Sequence, residues 1–162
     1  MKTPGMNSSS ALFLQVVIVL IGIVTVGLML WEPHLEGRNA HATIFEIYFK
    51  DPFLAYVYVG SIPFFVVLYR AFGIFGHVRR TGTFSQVTLN ALRVIQRCAI
   101  VLIAFVFGAV IFILVYGDGE DRPGGLFMCL IAASGATVIA VTAAMCRSKL
   151  WSALSRAERG RD

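Results

Sequence analysis

The residue types that bind metals most readily are gathered in one short stretch of this chain. Glu32, His34, Glu36 and His41 carry carboxylate and imidazole groups that hard and borderline metals accept as ligands. Their spacing matches no defined metal motif, and the proline and glycine among them are typical of a turn. We therefore predict no physiological metal site here.

Chemistry at membrane depth would require ionisable side chains there, because such groups bind the transported ion or perform the reaction. The four long apolar stretches of this chain contain no Asp, Glu, His or Lys. Arg70 is the one charged residue within them, and its long stem can carry the guanidinium group to the lipid headgroups. The pattern argues against proton-coupled transport and against haem held by two histidines inside the bundle. We expect a protein that is not an enzyme and has no cofactor.

The three cysteines, Cys98, Cys129 and Cys146, all lie in or beside apolar stretches. This placement is typical of small core residues and does not indicate a disulfide framework. Palmitoylation of Cys146, which adjoins Arg147, is the alternative.

The elements that must position these residues are membrane spans. Of the 162 residues, 57% are hydrophobic and only 14% are charged, and the mean hydropathy is +0.77. A single soluble domain of this composition would retain too few polar residues to cover its surface. The composition therefore predicts an integral membrane protein.

Four stretches have the ~20 apolar residues that a membrane helix requires, and they are residues 11–31, 53–75, 98–116 and 125–146. Lipid offers the backbone no hydrogen-bond partners, and no alternation over about 10 residues suggests a barrel, so each stretch should be a helix. The first is too long for a signal peptide, and we expect it to be retained. The predicted fold is all-α, an integral membrane four-helix bundle that forms a single domain over residues 1–162.

Basic residues orient the bundle, because lysine and arginine in short loops are retained in the cytoplasm. Eleven of the fourteen fall on one side of the predicted membrane: Lys2, Arg70, Arg79, Arg80, Arg93, Arg97, Arg147, Lys149, Arg156, Arg159 and Arg161. Arg38, Lys50 and Arg122 fall on the other side, together with seven of the nine acids. We predict that both termini, the connection 76–97 and the tail 147–162 are cytoplasmic.

The connection 76–97 carries Arg79, Arg80, Arg93 and Arg97 and no acid. The arginines have two interpretations. They orient the protein and pair with anionic lipid, each worth about 1 kcal/mol near the surface, or they form a surface for a cytoplasmic protein partner. Direct nucleic-acid binding is disfavoured, because neither a binding fold nor interleaved aromatic residues accompany the charges.

The second half of the connection has the spacing of a helix, which we expect to continue the third span about three turns below the membrane. Ser85 is suited to cap its N-terminus, with Phe84 packed on Leu89. One predicted face carries Val87, Ala91, Val94 and Cys98, and the opposite face carries Gln86, Asn90, Arg93 and Arg97. The candidate residues for contact with a partner or with lipid are Arg79, Arg80, Phe84, Ser85, Asn90, Arg93 and Arg97.

Pro63 lies inside the second span, two residues after Ser61. Proline removes one backbone hydrogen bond and clashes with the preceding turn, so we predict a helix kink near Ser61. A kink of this kind is typical of a static bend, and it also occurs as the hinge or ligand site of a transporter.

Small residues recur at every fourth position of the fourth span, at Ala132, Ala136, Ala140 and Ala144. Another helix can approach such a face closely, and Ala104 and Gly108 form a matching small pair on the third span. We predict helix packing within the chain, with self-association into a homo-oligomer as the alternative.

Residues 60–101 resemble the central signature of a bacterial four-span membrane family called domain of unknown function 2975. The similar residues are 62–65 (IPFF), 68–72 (LYRAF), the Phe84-Ser85 pair, 91–93 (ALR) and 98–100 (CAI). The acidic turn 118–125 and the small-residue fourth span are also similar, whereas the stretch 32–49 looks individual to this chain. The family has no established activity, and its members are often encoded beside a small helix-turn-helix regulator. The resemblance implies a multi-pass protein of the bacterial cytoplasmic (inner) membrane and a cytoplasmic regulator as its partner.

Two classes of function are consistent with these observations, and an enzyme is a third class that would need catalytic residues this sequence does not show. A non-enzymatic accessory or regulatory protein would contact anionic lipid or a cytoplasmic partner through its basic connection. A small oligomeric transporter or channel would use the helix kinked at Pro63 and would need a polar path. The polar side chains at depth are Gln15, Thr25, Ser61, Ser134, Thr137 and Thr142. Because these are too few to line a water path, we favour the first class.

Overall fold

The computed structural model describes residues 8–35, 52–81, 85–116 and 122–159, which form four α-helices. Helix α1 spans Ser8–Leu35, α2 spans Pro52–Thr81, α3 spans Gln86–Tyr116 and α4 spans Arg122–Arg159. Each helix is long and apolar enough to cross a membrane, and the described residues contain no strand. The prediction of an all-α membrane protein with four spanning helices is confirmed.

The helices continue beyond the predicted spans. Because α3 begins at Gln86, the helix predicted in the connection and the third span are one continuous element. The 38 residues of α4 extend ~57 Å, compared with a hydrocarbon core of ~30 Å. Most of the stretch 147–162, which the sequence indicated only as a tail, is therefore helical. Among its partly buried residues, Arg147, Leu150 and Leu154 follow a helical spacing.

Successive helices run antiparallel and pack side by side, with extensive contacts from α1 to α2, from α2 to α3 and from α3 to α4. Val67 of α2, Ile95 of α3 and Ala143 of α4 form the buried centre of the bundle. Across the first interface, the Tyr58 hydroxyl donates a hydrogen bond of 2.8 Å to the Met29 carbonyl. Helix α1 makes the least extensive of the three contacts and exposes most of its large apolar side chains, as expected of a surface that lipid covers.

Glycines and aromatic rings bring α2 and α3 close together. A Cβ atom on Gly60 would lie 3.0 Å from the Phe105 ring, so a larger residue there would require the ring to shift. Gly108, predicted from the sequence to pair with the small face of α4, lies instead against Tyr56 of α2, and Ala104 is exposed. The predicted pairing of Gly108 was wrong because small size identifies a close approach without identifying the helix that approaches.

Candidate functional site

The antiparallel packing gathers most of the arginines of the four helices at one end of the bundle, where Glu158 of α4 is the one acidic residue of these helices. Helices α1 and α3 begin there, α2 ends there with Arg79 and Arg80 in its last turn, and α4 ends there with Arg156 and Arg159 in its last turn. Cations at helix C-termini interact favourably with the helix dipole. We call this end of the bundle the basic end.

The first turns of α3 present a polar face at the basic end. Asn90, Arg93 and Arg97 are exposed and lie on one side of the helix, because their spacing is i, i+3 and i+7. Leu89 and Ile95 are buried, so packing against the neighbouring helices fixes the rotation of α3. Helices α2 and α3 together contain five arginines and no Asp or Glu. The countercharge for this face must therefore come from outside these two helices.

One residue of the predicted apolar face of α3 differs from the others, because Ala91, Val94 and Cys98 are partly buried and Val87 is exposed. Val87 is 62% exposed, whereas Thr88 and Leu89 are buried. The spacing grouped Val87 with Ala91, but apolar residues flank Thr88 on both sides, and periodicity alone does not decide which of them faces the bundle. The polar face, which lacks such an ambiguity, lies where the spacing predicted it.

A hydrogen bond between Ser85 and His77 joins the end of α2 to the start of α3. Ser85 occupies the N-cap position, since its carbonyl accepts the N–H groups of Thr88 at 3.0 Å and Leu89 at 3.2 Å. Its hydroxyl lies 3.0 Å from Nε2 of His77. This contact helps to hold the arginines of α2 and those of α3 in a fixed relative position. Phe84, the predicted neighbour of the cap, lies outside the described residues.

Gln15 connects α1 to the basic end. Its side chain is 7% exposed, and Nε2 donates a hydrogen bond of 3.3 Å to the Phe72 carbonyl. Nη1 of Arg79 lies 3.5 Å from Oε1 of Gln15. A buried amide requires such partners where water is scarce. The sequence carried a signal for this contact, a single amide on an apolar helix, but it did not identify the partner helix.

Helix α2 is continuous through Pro63. The Ser61 hydroxyl donates a hydrogen bond of 2.7 Å to the Tyr58 carbonyl, within the turn that precedes the proline. Ser61 and Pro63 are both partly buried. The kink at Ser61 and Pro63 stays a prediction.

The hydroxyls of α4 give no support to a polar path through the bundle. Ser134 and Thr137 each donate a hydrogen bond of 2.7 Å to the carbonyl four residues earlier in their own helix, and both are exposed. Hydroxyls engaged in this way already donate their one proton to the helix that carries them.

The small residues of α4 divide between two environments. Ala136 is buried, Ala140 and Ala144 are partly buried, and Ala132 is exposed. A row of residues four apart drifts around a helix of 3.6 residues per turn, so one row cannot follow a single neighbour along the whole helix. Ala143, which the sequence row omits, is buried against α2 and α3 in the centre of the bundle.

The remaining candidate residues are the three cysteines and the histidines and glutamates that follow the first span. Cys98 and Cys129 are partly buried, Cys146 is exposed, and all three thiols are free. The side chains of Glu32, His34, Glu36 and His41 lie outside the described residues, so the prediction of no metal site there stays a prediction.

Comparison with known proteins gives two matches over most of the chain. Residues 38–155 match the family described as "Protein of unknown function (DUF2975)", and this match includes most of the stretch 32–49 that looked individual. Over 150 residues the chain is 30% identical to the "Uncharacterized membrane protein YoaS" of Bacillus subtilis (strain 168), covering 92% of this chain and 94% of that protein. No solved structure matches the chain.

Proposed function

The chain belongs to the DUF2975 family, whose function is unknown, and we propose that it is a non-enzymatic accessory or regulatory membrane protein whose basic end binds a cytoplasmic protein. The observation that carries this proposal is the exposed face of Asn90, Arg93 and Arg97 on α3. With 31 residues, α3 extends ~47 Å and therefore projects beyond a ~30 Å hydrocarbon core. When the basic end lies in the cytoplasm, the first turns of α3, which carry this face, are the part that projects from the membrane.

Orientation in the membrane requires only positive charge. The arginines of this face are, in addition, held in fixed positions. The buried side chains of Leu89 and Ile95 fix the rotation of α3, and the hydrogen bond between Ser85 and His77 restrains its start. Guanidinium groups held on a rigid helix favour planar, two-pronged contacts with carboxylates. The partner we propose therefore has an acidic surface.

The family resemblance implies a small helix-turn-helix regulator as this partner. A regulator of this kind is a cytoplasmic protein, so the proposal places the basic end and both termini on the cytoplasmic side of the bacterial inner membrane. The excess of basic residues on that side supports this orientation.

Anionic lipid competes with a protein for the same arginines. The two ligands differ in how strictly they require a particular geometry of the cationic group. Lipid headgroups are mobile and respond to charge, at about 1 kcal/mol for each lysine or arginine. A docked protein surface responds also to the shape of the cationic group. Exchange of arginine for lysine keeps the charge and changes the geometry, so it separates the two.

The test compares partners that are cross-linked in native membranes and then purified with the full-length protein. The test variant is Arg93→Lys with Arg97→Lys, and the matched control is Arg156→Lys with Arg159→Lys at the end of α4. We expect one partner to fall about tenfold in the test variant and to stay unchanged in the control, with equal membrane insertion. Equal recovery from all three proteins, or no specific partner, would contradict the proposal and leave lipid as the ligand of this face.

A further inference from the structure

A groove opens on the outer surface of the bundle between α1 and α2, at the basic end. Its volume is about 670 Å³, and its walls include Leu12, Val16 and Leu20 of α1 and Phe72 and Gly73 of α2. The three α1 side chains are each about half exposed. The groove is therefore apolar along its walls and accessible from the surrounding membrane.

Two glycines of α2 give the groove its shape. A Cβ atom on Gly76 would lie 3.1 Å from Nε2 of Gln15, so Gly76 allows the Gln15 amide to approach and close the floor. A Cβ atom on Gly73 would have no heavy atom within 4 Å. Gly73 therefore leaves free space in the groove that a side chain would occupy.

Positive charge lies where the groove meets the basic end, and we call this part, lined by His77, Arg79 and Arg80, the mouth of the groove. Both arginines are exposed. Nη1 of Arg79 lies 3.5 Å from Oε1 of Gln15, which places this guanidinium group over the floor. Since a guanidinium group has five N–H donors, most of its donors stay available to an anion.

A second and more open cavity continues the groove away from the basic end. It measures about 410 Å³ and is lined by Val19, Gly22, Ile23, Val26 and Phe65. Val19 lines both cavities, and their α1 residues share one face of that helix, so the two cavities align as one trough along α1. From residue 12 to residue 26 the trough follows α1 for ~21 Å, whereas one leaflet of the hydrocarbon core is only ~15 Å thick. The trough is long enough for an acyl chain.

We propose that this trough binds one anionic phospholipid, with the headgroup phosphate on Arg79 and Arg80 and an acyl chain along α1. The cationic mouth selects an anionic headgroup, and the apolar walls select a ligand that carries a hydrocarbon chain. Neither a soluble phosphate nor a neutral lipid satisfies both parts. Basic pockets between membrane helices bind anionic headgroups by the same combination. The site lies on the α1 side of α2, so it does not depend on the protein partner proposed for the α3 face.

Native mass spectrometry of the full-length protein in mild detergent measures this binding directly. The probes are phosphatidylglycerol and phosphatidylcholine with identical acyl chains, and glycerol 3-phosphate as a headgroup without a chain. We expect one phosphatidylglycerol to bind about tenfold more tightly than phosphatidylcholine, with no displacement by an equal concentration of glycerol 3-phosphate. Equal affinity for the two lipids, or displacement by glycerol 3-phosphate, would overturn the proposal.

The contribution of the mouth is tested by removing its charge. Arg79→Gln with Arg80→Gln should weaken phosphatidylglycerol binding about tenfold. Arg156→Gln with Arg159→Gln removes the same charge from the same end of the bundle and should leave binding within about twofold of the parent. If both pairs weaken binding equally, the lipid responds to net charge alone and the proposed site is wrong.

The contribution of the trough is tested by filling it. Gly73→Leu places a side chain in the free space, and Gly27→Leu is its control because a Cβ atom there also meets nothing within 4 Å and Gly27 lines neither cavity. We expect about a tenfold loss of phosphatidylglycerol binding in Gly73→Leu alone, with thermal unfolding confirming that both variants are folded. The smaller change Gly73→Ala, which is compatible with any helix, should give a partial loss. Undiminished binding in both Gly73 variants would show that the lipid lies elsewhere on the arginine surface.

Discussion

Tyr56 of α2 and Gly108 of α3 fit together, because the tyrosine hydroxyl occupies the space where a side chain at residue 108 would begin. The hydroxyl donates a hydrogen bond of 2.8 Å to the Phe105 carbonyl, and the rings of Tyr56 and Phe105 have their centroids 5.2 Å apart. A Cβ atom on Gly108 would overlap the hydroxyl oxygen. Glycine is therefore required here by a hydrogen bond from the neighbouring helix.

Gly108→Ala should destabilise the protein by about 1–3 kcal/mol, because the tyrosine must leave its position and lose its carbonyl partner. Thermal unfolding in detergent measures this effect. The matched control is Gly135→Ala, since a Cβ atom on Gly135 meets nothing within 4 Å and alanine in an open helical position should be neutral or slightly stabilising. An equal response of the two variants would contradict the fit of Tyr56 against Gly108.

The coupling between the two residues gives a second prediction. In a Tyr56→Phe background the hydroxyl is absent, so Gly108→Ala should cost less than it does in the parent, with a coupling energy of about 0.5–3 kcal/mol. The four proteins of this double-mutant cycle are compared by thermal unfolding under one detergent condition. Additive losses would indicate that the two side chains act independently.

A substitution at Thr88 is expected to stabilise the protein, in contrast to Gly108→Ala. The residue is 2% exposed, and its hydroxyl oxygen is buried without a hydrogen-bond partner. Replacement by valine keeps the shape and removes the unsatisfied group, so Thr88→Val should stabilise the protein by about 1 kcal/mol. Thr88→Ala, which leaves a cavity instead, should be destabilising. A lower unfolding temperature for the valine variant would indicate that the hydroxyl has a partner in the membrane-embedded protein.

The helices were predictable from the sequence because each contains an apolar run long enough to span lipid, and lipid forces the backbone of such a run to satisfy itself. The continuation of α4 to Arg159 was not predictable from the sequence, because the last turns of this helix are polar. What distinguishes a packed helix from a tail there is partial burial, as at Leu150 and Leu154.

The charged residues of the candidate site were predictable from the sequence, whereas the contacts that link its helices were not. Asn90, Arg93 and Arg97 share a face by helical spacing alone. The contact of Gln15 with Phe72 spans 57 residues of sequence, and that of His77 with Ser85 requires the chain to reverse between α2 and α3. Such contacts depend on which helices become neighbours and at what rotation, and residue type does not encode either.

The small residues of α4 allow packing within the chain to be separated from self-association. Ala136 is 5% exposed and Ala132 is exposed, although both belong to the same row of alanines. Ala136→Leu should destabilise the protein by about 1–3 kcal/mol through overpacking, whereas Ala132→Leu should change its stability by less than about 0.5 kcal/mol. Thermal unfolding measures stability, and light scattering in detergent measures the oligomeric state. A change of oligomeric state in Ala132→Leu would show that a second copy covers this face.

The orientation of the bundle decides which compartment the arginine face can reach. Eleven basic residues on one side against three on the other predict that the basic end is cytoplasmic. Single cysteines introduced at Asn39 and Gly119 should react with a membrane-impermeant thiol reagent in intact cells, and a cysteine at Thr83 should react only after the membrane is opened. The parent, with its three cysteines in spanning helices, gives the background. Labelling at residue 83 alone in intact cells would reverse the orientation. It would then exclude a cytoplasmic regulator as the partner of Arg93 and Arg97, while leaving the lipid trough between α1 and α2 unaffected, because anionic lipid binding depends only on the charge and shape of that trough.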